Sequence, residues 1–432
     1  MRVALLSYRS KPHVGGQGVY LRHLSRELVA LGHDVEVFSG PPYPELDAGV
    51  RLTQVPSLDL YREPDPFRIP RLREFRDLVD VREFLAMCVG TFPEPRTFGI
   101  RVARVLRDRL GDIDVVHDNQ TLAYGMLDLD RMGFPLVTQI HHPITFDRRV
   151  DLEHASWRKR LSLRRWYSFL RMQGKVARQV PQILTVSESS KRDIVRDFGV
   201  DPAVIEVVPL GVDEVFRPPV PPPAAGPAAP ARMPGRIIAM ASADTPMKGV
   251  ATLLEAVAKL RTERQVELVL VTRPRPGGRT EQLIDKLGLE DCVRFVHGIS
   301  DDELVRLMGS AEVACVPSLY EGFSLPTAEL MACETPLVVS RAGAIPEVVG
   351  PDGLCADLVA PGDVAELYDA LGALLDDPQR RARMGAAGRE RVLERFSWHA
   401  VAVATAAAYQ RAIDRKQAAG TPDRTTTTDD AK

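Results

Sequence analysis

No stretch of this 432-residue chain approaches the ~20 consecutive apolar residues that a membrane-spanning helix needs. Charge of one sign is just as scarce. Lys and Arg number 56 against 58 Asp and Glu, a formal net charge of −2, which argues against a dedicated nucleic-acid binder. Cysteine is sparse and scattered: Cys88, Cys292, Cys315, Cys333 and Cys355 form no C-x-x-C pair. An odd, dispersed set fits buried thiols in a reducing compartment and not a disulfide framework. The third glycine of a dinucleotide fingerprint is absent from the first glycine-rich loop. No G-x-x-x-x-G-K-[ST] occurs either, which removes the P-loop kinase and ATPase reading. What is present, 45% hydrophobic and 26% charged residues, is a globular composition in a chain long enough for two domains. The short apolar run after Met1 reads as a buried first strand and not as a signal peptide. The expected location is the cytoplasm, with a peripheral place at the inner face of a membrane left open.

Apolar runs at 3–7, 35–38, 115–117, 136–141 and 183–186 alternate with helical spacing, clearest at 19–31 before Gly32. Residues 57–110 are less regular. Residues 217–235 read RPPVPPPAAGPAAPARMPG, a proline- and alanine-rich linker. The alternation then restarts, with strands expected at 236–241, 266–271, 293–296, 313–316 and 336–340 and a helix at 249–260. The boundaries that follow are a first Rossmann-like domain over 1–216, the linker 217–235 and a second domain over 236–396. A C-terminal helix over 397–415 and a disordered tail over 416–432 complete the chain. The fold class is α/β, with two parallel-sheet domains facing each other across a cleft. Ligands of such sheets sit at the carboxyl ends of strands, so polar residues there carry the chemistry.

Four such places stand out. The loop HVGGQG over 13–18 offers Gly15 and Gly16 at a helix start, where backbone N–H groups can meet a phosphate; an ordinary tight turn is the alternative. His141 and His142 end an apolar strand and could face a sugar hydroxyl or a developing charge, or simply cap the strand. A two-histidine metal site fits poorly, because neighbours on a strand point to opposite faces. Lys248, in ADTPMKG over 243–249, falls where a pyrophosphate could lie, or is a solvated lysine. The strongest signal is PSLYEGFSLPTAE over 317–329. It places Glu321 after a strand, the backbone of Phe323, Ser324 and Leu325 at a helix start, and Glu329 within that helix. As a bare pair, Glu321 and Glu329 would be surface glutamates on a capped helix.

That segment resembles the E-x7-E signature of the family 4 retaining glycosyltransferases, enzymes of the GT-B fold. The resemblance runs over about 1–410 and includes Gly15 and Gly16, His141 and VSES over 186–189. Further on it takes in PLGVD over 209–213, Lys248 and Gly249, GAIPE over 343–347 and FSW over 396–398. Ordered motifs at compatible distances are more specific than any one alone. The resemblance implies an acceptor-side first domain and a nucleotide-sugar-binding second domain, with the last helix crossing back to the first. It implies transfer of a hexose from a UDP-, GDP- or ADP-sugar to an acceptor in bacterial-type glycan or glycolipid biosynthesis, without a metal or other cofactor. Glu329 would bind the ribose. Lys248 and the backbone of Phe323, Ser324 and Leu325 would bind the diphosphate, with Gly16 closing over it. Glu321 and His141 would meet the donor sugar, and the base would lie near 296–299. Neither the acceptor nor the oligomeric state is legible.

Three departures stand against the family pattern: Ser242 replaces an arginine, Thr272 and Arg273 follow a strand where glycine is usual, and Glu334 replaces the glycine that ends the E-x7-E helix. The first suggests Arg273, or else Arg275, as a substitute cation, with a merely solvated arginine–proline turn as the alternative; the last suggests a strained or altered helix end. Two other functions remain on the same fold, an epimerase or hydrolase of nucleotide-sugars and a non-catalytic binding subunit. Asp112 and Asp114 read as surface charge and not as a metal-binding pair. The segment 148–178 carries 10 Lys or Arg among Trp157, Trp166, Tyr167 and Phe169. It suits either an anionic lipid surface or a helix packing its aromatics inward.

Overall fold

Strands that are apolar at nearly every position must be buried on both faces, which a parallel sheet covered by helices provides. The first sheet is built from β1 (Arg2–Ser7), β2 (Asp34–Ser39), β3 (Arg51–Gln54), β4 (Val115–Asn119), β5 (Leu136–Ile140), β6 (Ile183–Thr185) and β7 (Ile205–Val207). The order is β3-β2-β1-β4-β5-β6-β7, and every pairing is parallel. The second sheet is built from β8 (Met233–Met240), β9 (Glu267–Val271), β10 (Val293–Val296), β11 (Ala311–Val316), β12 (Leu337–Ser340) and β13 (Asp357–Val359). It runs β10-β9-β8-β11-β12-β13, again all parallel. This computed structural model describes residues 1–10, 16–153, 155–218, 232–240 and 244–420. The chain divides into two units, one of Met1–Val186, Lys191–Val208 and Val401–Lys432, the other of Ser187–Ser190 and Pro209–Ala400.

β3, β7 and β13 were not legible, being three or four residues long with no sustained apolar run. The segment 57–110 contains helices Leu78–Cys88 and Glu94–Leu106, cross-linked where buried Arg101 meets Asp80 and Glu83, each at 2.6 Å. Two expected boundaries shift. Residues 233–235 open β8 and are not linker, because Gly235 N donates to Glu312 at 2.7 Å. The last helix is Trp398–Gly420, so 416–420 are helical and not tail; Lys416 Nζ bonds Asp130 at 2.8 Å and two alanines follow it. Linker residues 219–231 and tail residues 421–432 lie outside the described residues.

In 148–178, Trp166 packs on Tyr61, Phe67 and Phe92, and Phe169 packs on Phe92. The Tyr167 hydroxyl donates to Asp151 at 2.7 Å. Only Trp157 of the four aromatics is turned out, 69% exposed. Among the described residues, no helix is long and apolar enough to cross a membrane.

Candidate active site

Each sheet has one point where strand order reverses, between β1 and β4 in the first and between β8 and β11 in the second. Connections leaving to opposite faces open a crevice there, beyond the strands' carboxyl ends. The residues singled out from sequence cluster at or beside these two points.

In the second unit, β8 is followed by a 3₁₀ turn, Pro246–Lys248, and the loop after β11 carries Ser318 and Glu321. Lys248 Nζ donates to Glu321 Oε1 at 2.7 Å, and Ser318 Oγ donates to the same oxygen at 2.7 Å. The backbone leaves little choice in this. Gly249 adopts φ +65°, and a Cβ there would stand 1.9 Å from the Pro317 carbonyl oxygen. Leu319 N donates to Met247 O at 2.8 Å, so the two loops lie against each other. Ala344 N donates to the Glu321 carbonyl at 2.9 Å, and a Cβ on Gly343 (φ +54°) would stand 2.1 Å from that oxygen. Lys248 and Glu321 are thus brought together by glycines that only a close approach requires.

The helix carrying Glu329, Leu325–Ala332, starts from Ser324 at φ +83°, whose hydroxyl shares a 2.8 Å hydrogen bond with Thr327. Phe323 is buried edge-on against Phe396. The Gly322 carbonyl accepts from Ser187 at 2.7 Å and from Ser190 at 3.1 Å. Glu347 in turn accepts from Glu188 N and Ser189 N, at 2.8 and 2.7 Å. The VSES and GAIPE segments are therefore supports of this loop. Glu329 is half-buried, and its carboxylate has no hydrogen bond or ion pair among the described residues. Burial, with Asp301 and Asp213 nearby, pushes its pKa up to about 7. An unpartnered carboxylate in such a place is costly unless a ligand supplies the donors.

The loop after β9 carries Arg273 and Arg275. Asp244, which sequence reasoning missed, accepts from Arg275 N at 3.0 Å and Thr280 N at 3.1 Å. Burial alone would raise its pKa, but those bonds, the Thr280 hydroxyl and the charge of Arg275 hold it below the usual range. The signal was available, since an aspartate in a strand–turn–helix segment is a common loop clamp. Arg273 itself is exposed and has no side-chain partner among the described residues. Beyond β10, His297 and Gly298 are exposed, with Gly298 at φ +67°. Ser242 and Gly15 lie outside the described residues, and Gly16 opens the helix Gly16–Ala30. The expected strain at Glu334 is present: φ is +58°, and Arg232 donates to its carbonyl at 2.6 Å.

In the first unit His141 directly follows β5. Its Nε2 is 2.8 Å from Asn119 Oδ1, its backbone N donates to Gln120 Oε1 at 2.8 Å, and its ring stands edge-on to Tyr20 with centroids 4.8 Å apart. Burial, helped by His142 and His117, lowers its pKa to about 3, so the ring is neutral. Asp118 is buried and caps Thr121 N and Leu122 N at 3.1 and 2.9 Å. His142 turns to Asp147 at 3.7 Å. Among the described residues, no group of three His, Cys, Asp or Glu could hold a metal ion. Asp114 pairs with Arg2 at 2.6 Å, and Asp112 lies 3.8 Å from Arg109. Asn119 and Gln120 were also missed; a polar run ending an apolar strand was their only signal.

Two family models match the chain. "Glycosyltransferase Family 4" covers residues 14–216 and "Glycosyl transferases group 1" covers residues 228–391. The chain is 60% identical over 417 residues to the "MMP alpha-(1->4)-mannosyltransferase" of Mycolicibacterium hassiacum, spanning 96% of this chain and 99% of that one. It is 31% identical to a glycogen synthase of Mycobacterium tuberculosis, over 95% of this chain and 94% of that one. Among solved structures, the sucrose-phosphate synthase of Thermosynechococcus elongatus superposes with a TM-score of 0.72 at 25% identity, covering 96% of this chain and 99% of that one. Anabaena HepE in complex with UDP-glucose superposes with a TM-score of 0.63 at 17% identity, over 97% and 100% of the two chains. These structural likenesses carry the GT-B fold.

Proposed function

The chain belongs to the family 4 glycosyltransferases, and from that premise we propose that it transfers mannose from a nucleoside-diphosphate-mannose to a glycan hydroxyl with retention of the α configuration. The observation that carries the reading is the second unit's crevice, which holds the Lys248 cation and the Glu329 carboxylate, unpartnered among the described residues. The mannosyltransferase relative, 60% identical over 96% of this chain, supports the sugar. The complexes of Anabaena HepE with UDP and with UDP-glucose support a nucleotide-linked donor.

Cleaving the sugar–phosphate bond leaves negative charge on the diphosphate and positive character on the sugar. Lys248, released from Glu321 as phosphate arrives, and the helix N-terminus at Phe323, Ser324 and Leu325 stabilise the first. Arg273 adds the second cation that Ser242 cannot supply. Glu329 accepts the ribose hydroxyls and the base lies near 296–299. Glu321 and neutral His141 serve the sugar, where an imidazolium would oppose the developing charge. The acceptor oxygen bonds to the anomeric carbon on the face the phosphate leaves, and the departing phosphate oxygen takes its proton. No protein nucleophile and no metal is called for in this scheme. Any contact with anionic lipid falls to the exposed Trp157 and the acid-free helix Trp157–Trp166, and co-sedimentation with anionic vesicles at low and high salt tests it.

The test is a panel of UDP-, GDP- and ADP-linked hexoses scored for thermal stabilisation and for turnover with and without an α-mannoside acceptor. One nucleoside-diphosphate-mannose should stabilise the protein and be consumed faster when acceptor is present. Donor breakdown indifferent to acceptor would favour the epimerase or hydrolase class and sink the transferase mechanism.

A further inference from the structure

Ser318, in the loop that follows β11, is 2% exposed. Both of its neighbours are held against the turn that carries Lys248. The Pro317 carbonyl oxygen stands 1.9 Å from where a Cβ on Gly249 would be, and Leu319 N donates to Met247 O at 2.8 Å. The Ser318 hydroxyl therefore starts from a fixed backbone, and its partner among the described residues is Glu321 Oε1 at 2.7 Å. Lys248 Nζ donates to that same oxygen at 2.7 Å. Two donors share one carboxylate oxygen, while Oε2 has no partner among the described residues. The Glu321 backbone is held separately, by Ala344 N on its carbonyl at 2.9 Å. The carboxylate is the part left to move, and its two donors differ in reach. The Lys248 ammonium ends a long flexible stem and is free to swing. The Ser318 hydroxyl is short and buried, and a buried hydroxyl left without an acceptor is costly.

A lysine that carries its carboxylate along brings a phosphate no net charge. We propose that Ser318 is a positioning residue for the transfer reaction: it retains Glu321 at the strand end, so that Lys248 leaves the ion pair alone and meets the diphosphate as a free cation. The inference rests on the assignments of Lys248 to the diphosphate and of Glu321 to the sugar. It goes beyond them by naming the group that parts the pair. The device suits its task. A hydroxyl is a neutral donor, so it holds the carboxylate without cancelling its charge. Glu321 then stays anionic beside a sugar that is becoming cationic, and Oε2 is the oxygen left for a sugar hydroxyl.

The experiment is a double-mutant cycle on the full chain, read as kcat/KM with whichever of GDP-, UDP- and ADP-mannose the wild type turns over. Ser318→Ala should fold and lose roughly ten- to 150-fold in kcat/KM, the worth of one hydrogen bond to a charged group. Glu321→Gln has no ion pair to part, so adding Ser318→Ala to it should cost less than about twofold more. Losses that multiply would make Ser318 a mere support of the loop and overturn the proposal. The pH profile gives a second reading. Removing a hydrogen bond from the charged form of a carboxyl group raises its pKa. The acid limb of kcat should therefore move to higher pH in Ser318→Ala and be absent from Glu321→Gln. An acid limb that stays where wild type has it, or wild-type turnover in Ser318→Ala, overturns the proposal. If Ser318→Ala does not fold, Ser318→Cys, with a weak donor in place of the hydroxyl, carries the same cycle and the same pH reading. Undiminished turnover in Glu321→Gln would instead overturn the placement of Glu321 at the sugar, whatever Ser318 does.

Discussion

The crevice at the β8/β11 switch point and the one at the β1/β4 switch point come from the same topology and are furnished with opposite chemistry. The second unit puts a lysine, two glutamates and an aspartate there; the lysine pairs with Glu321, and the aspartate clamps the arginine loop's backbone. The first unit puts amides and a neutral imidazole there, and its one buried carboxyl group at the strand end, Asp118, is spent on capping a turn. A departing diphosphate needs cations, and a sugar with oxocarbenium character needs neutral acceptors. The same topology thus presents charged groups at one switch point and neutral ones at the other.

The sharpest way to break that contrast is to remove charge from the second unit. Lys248→Ala should cut turnover by about two to three orders of magnitude, the loss that follows removal of one charge-stabilising contact of ~2.7–4 kcal/mol, while the melting temperature hardly moves. Arg273→Ala should do the same if it is the second cation. Normal turnover in both Arg273→Ala and Arg275→Ala, beside an inactive Lys248→Ala, would leave the enzyme with a single cation.

Next in size is the ribose contact. Glu329→Ala should weaken donor binding by about 1.5–3 kcal/mol, roughly ten- to 150-fold in Kd, read by calorimetry. The sign with pH is also fixed. A carboxyl group with a pKa of about 7 in the free protein ionises as pH rises from 6 to 8, so donor affinity should rise over that range. In Glu329→Gln that pH dependence should vanish. Affinity that falls with pH in the wild type would reverse the assigned role.

Tyr409→Phe probes the first unit alone. The Tyr409 hydroxyl meets His117 Nδ1 at 2.6 Å, and His117 Nε2 is already buried without a partner among the described residues. Losing the hydroxyl should cost about 1–3 kcal/mol in denaturant unfolding and leave donor affinity unchanged. The smallest effect is Glu334→Gly, which should stabilise by at most about 1 kcal/mol, because glycine adopts φ +58° without the steric penalty of a side chain. A lower midpoint would mean that the Glu334 side chain contributes more than its backbone strain costs.

Local order decided what could be read in advance. The apolar strands, the stop at Gly32 and the loop 317–329 are contiguous patterns, and a strand followed by a glycine turn and a helix fixes where a strand-end residue must fall. Hence Lys248, Glu321, Glu329 and His141 were legible as strand-end or helix-start positions. Glycines at 249 and 343 were legible as glycines, but not as the reason Lys248 reaches Glu321. That reason is the approach of Pro317 and Glu321 carbonyls from other parts of the chain. The tertiary structure alone decided that Asp244 clamps the arginine loop, that Glu347 caps the helix starting at Glu188, and that Trp166 and Phe169 are spent on a local aromatic core. It alone decided that Asn119 and Gln120 take hold of His141 from a neighbouring strand. Sequence determines which groups a strand end can offer, because side-chain type and strand period are local. Which of those groups are left for a ligand depends on what the rest of the fold has already bonded.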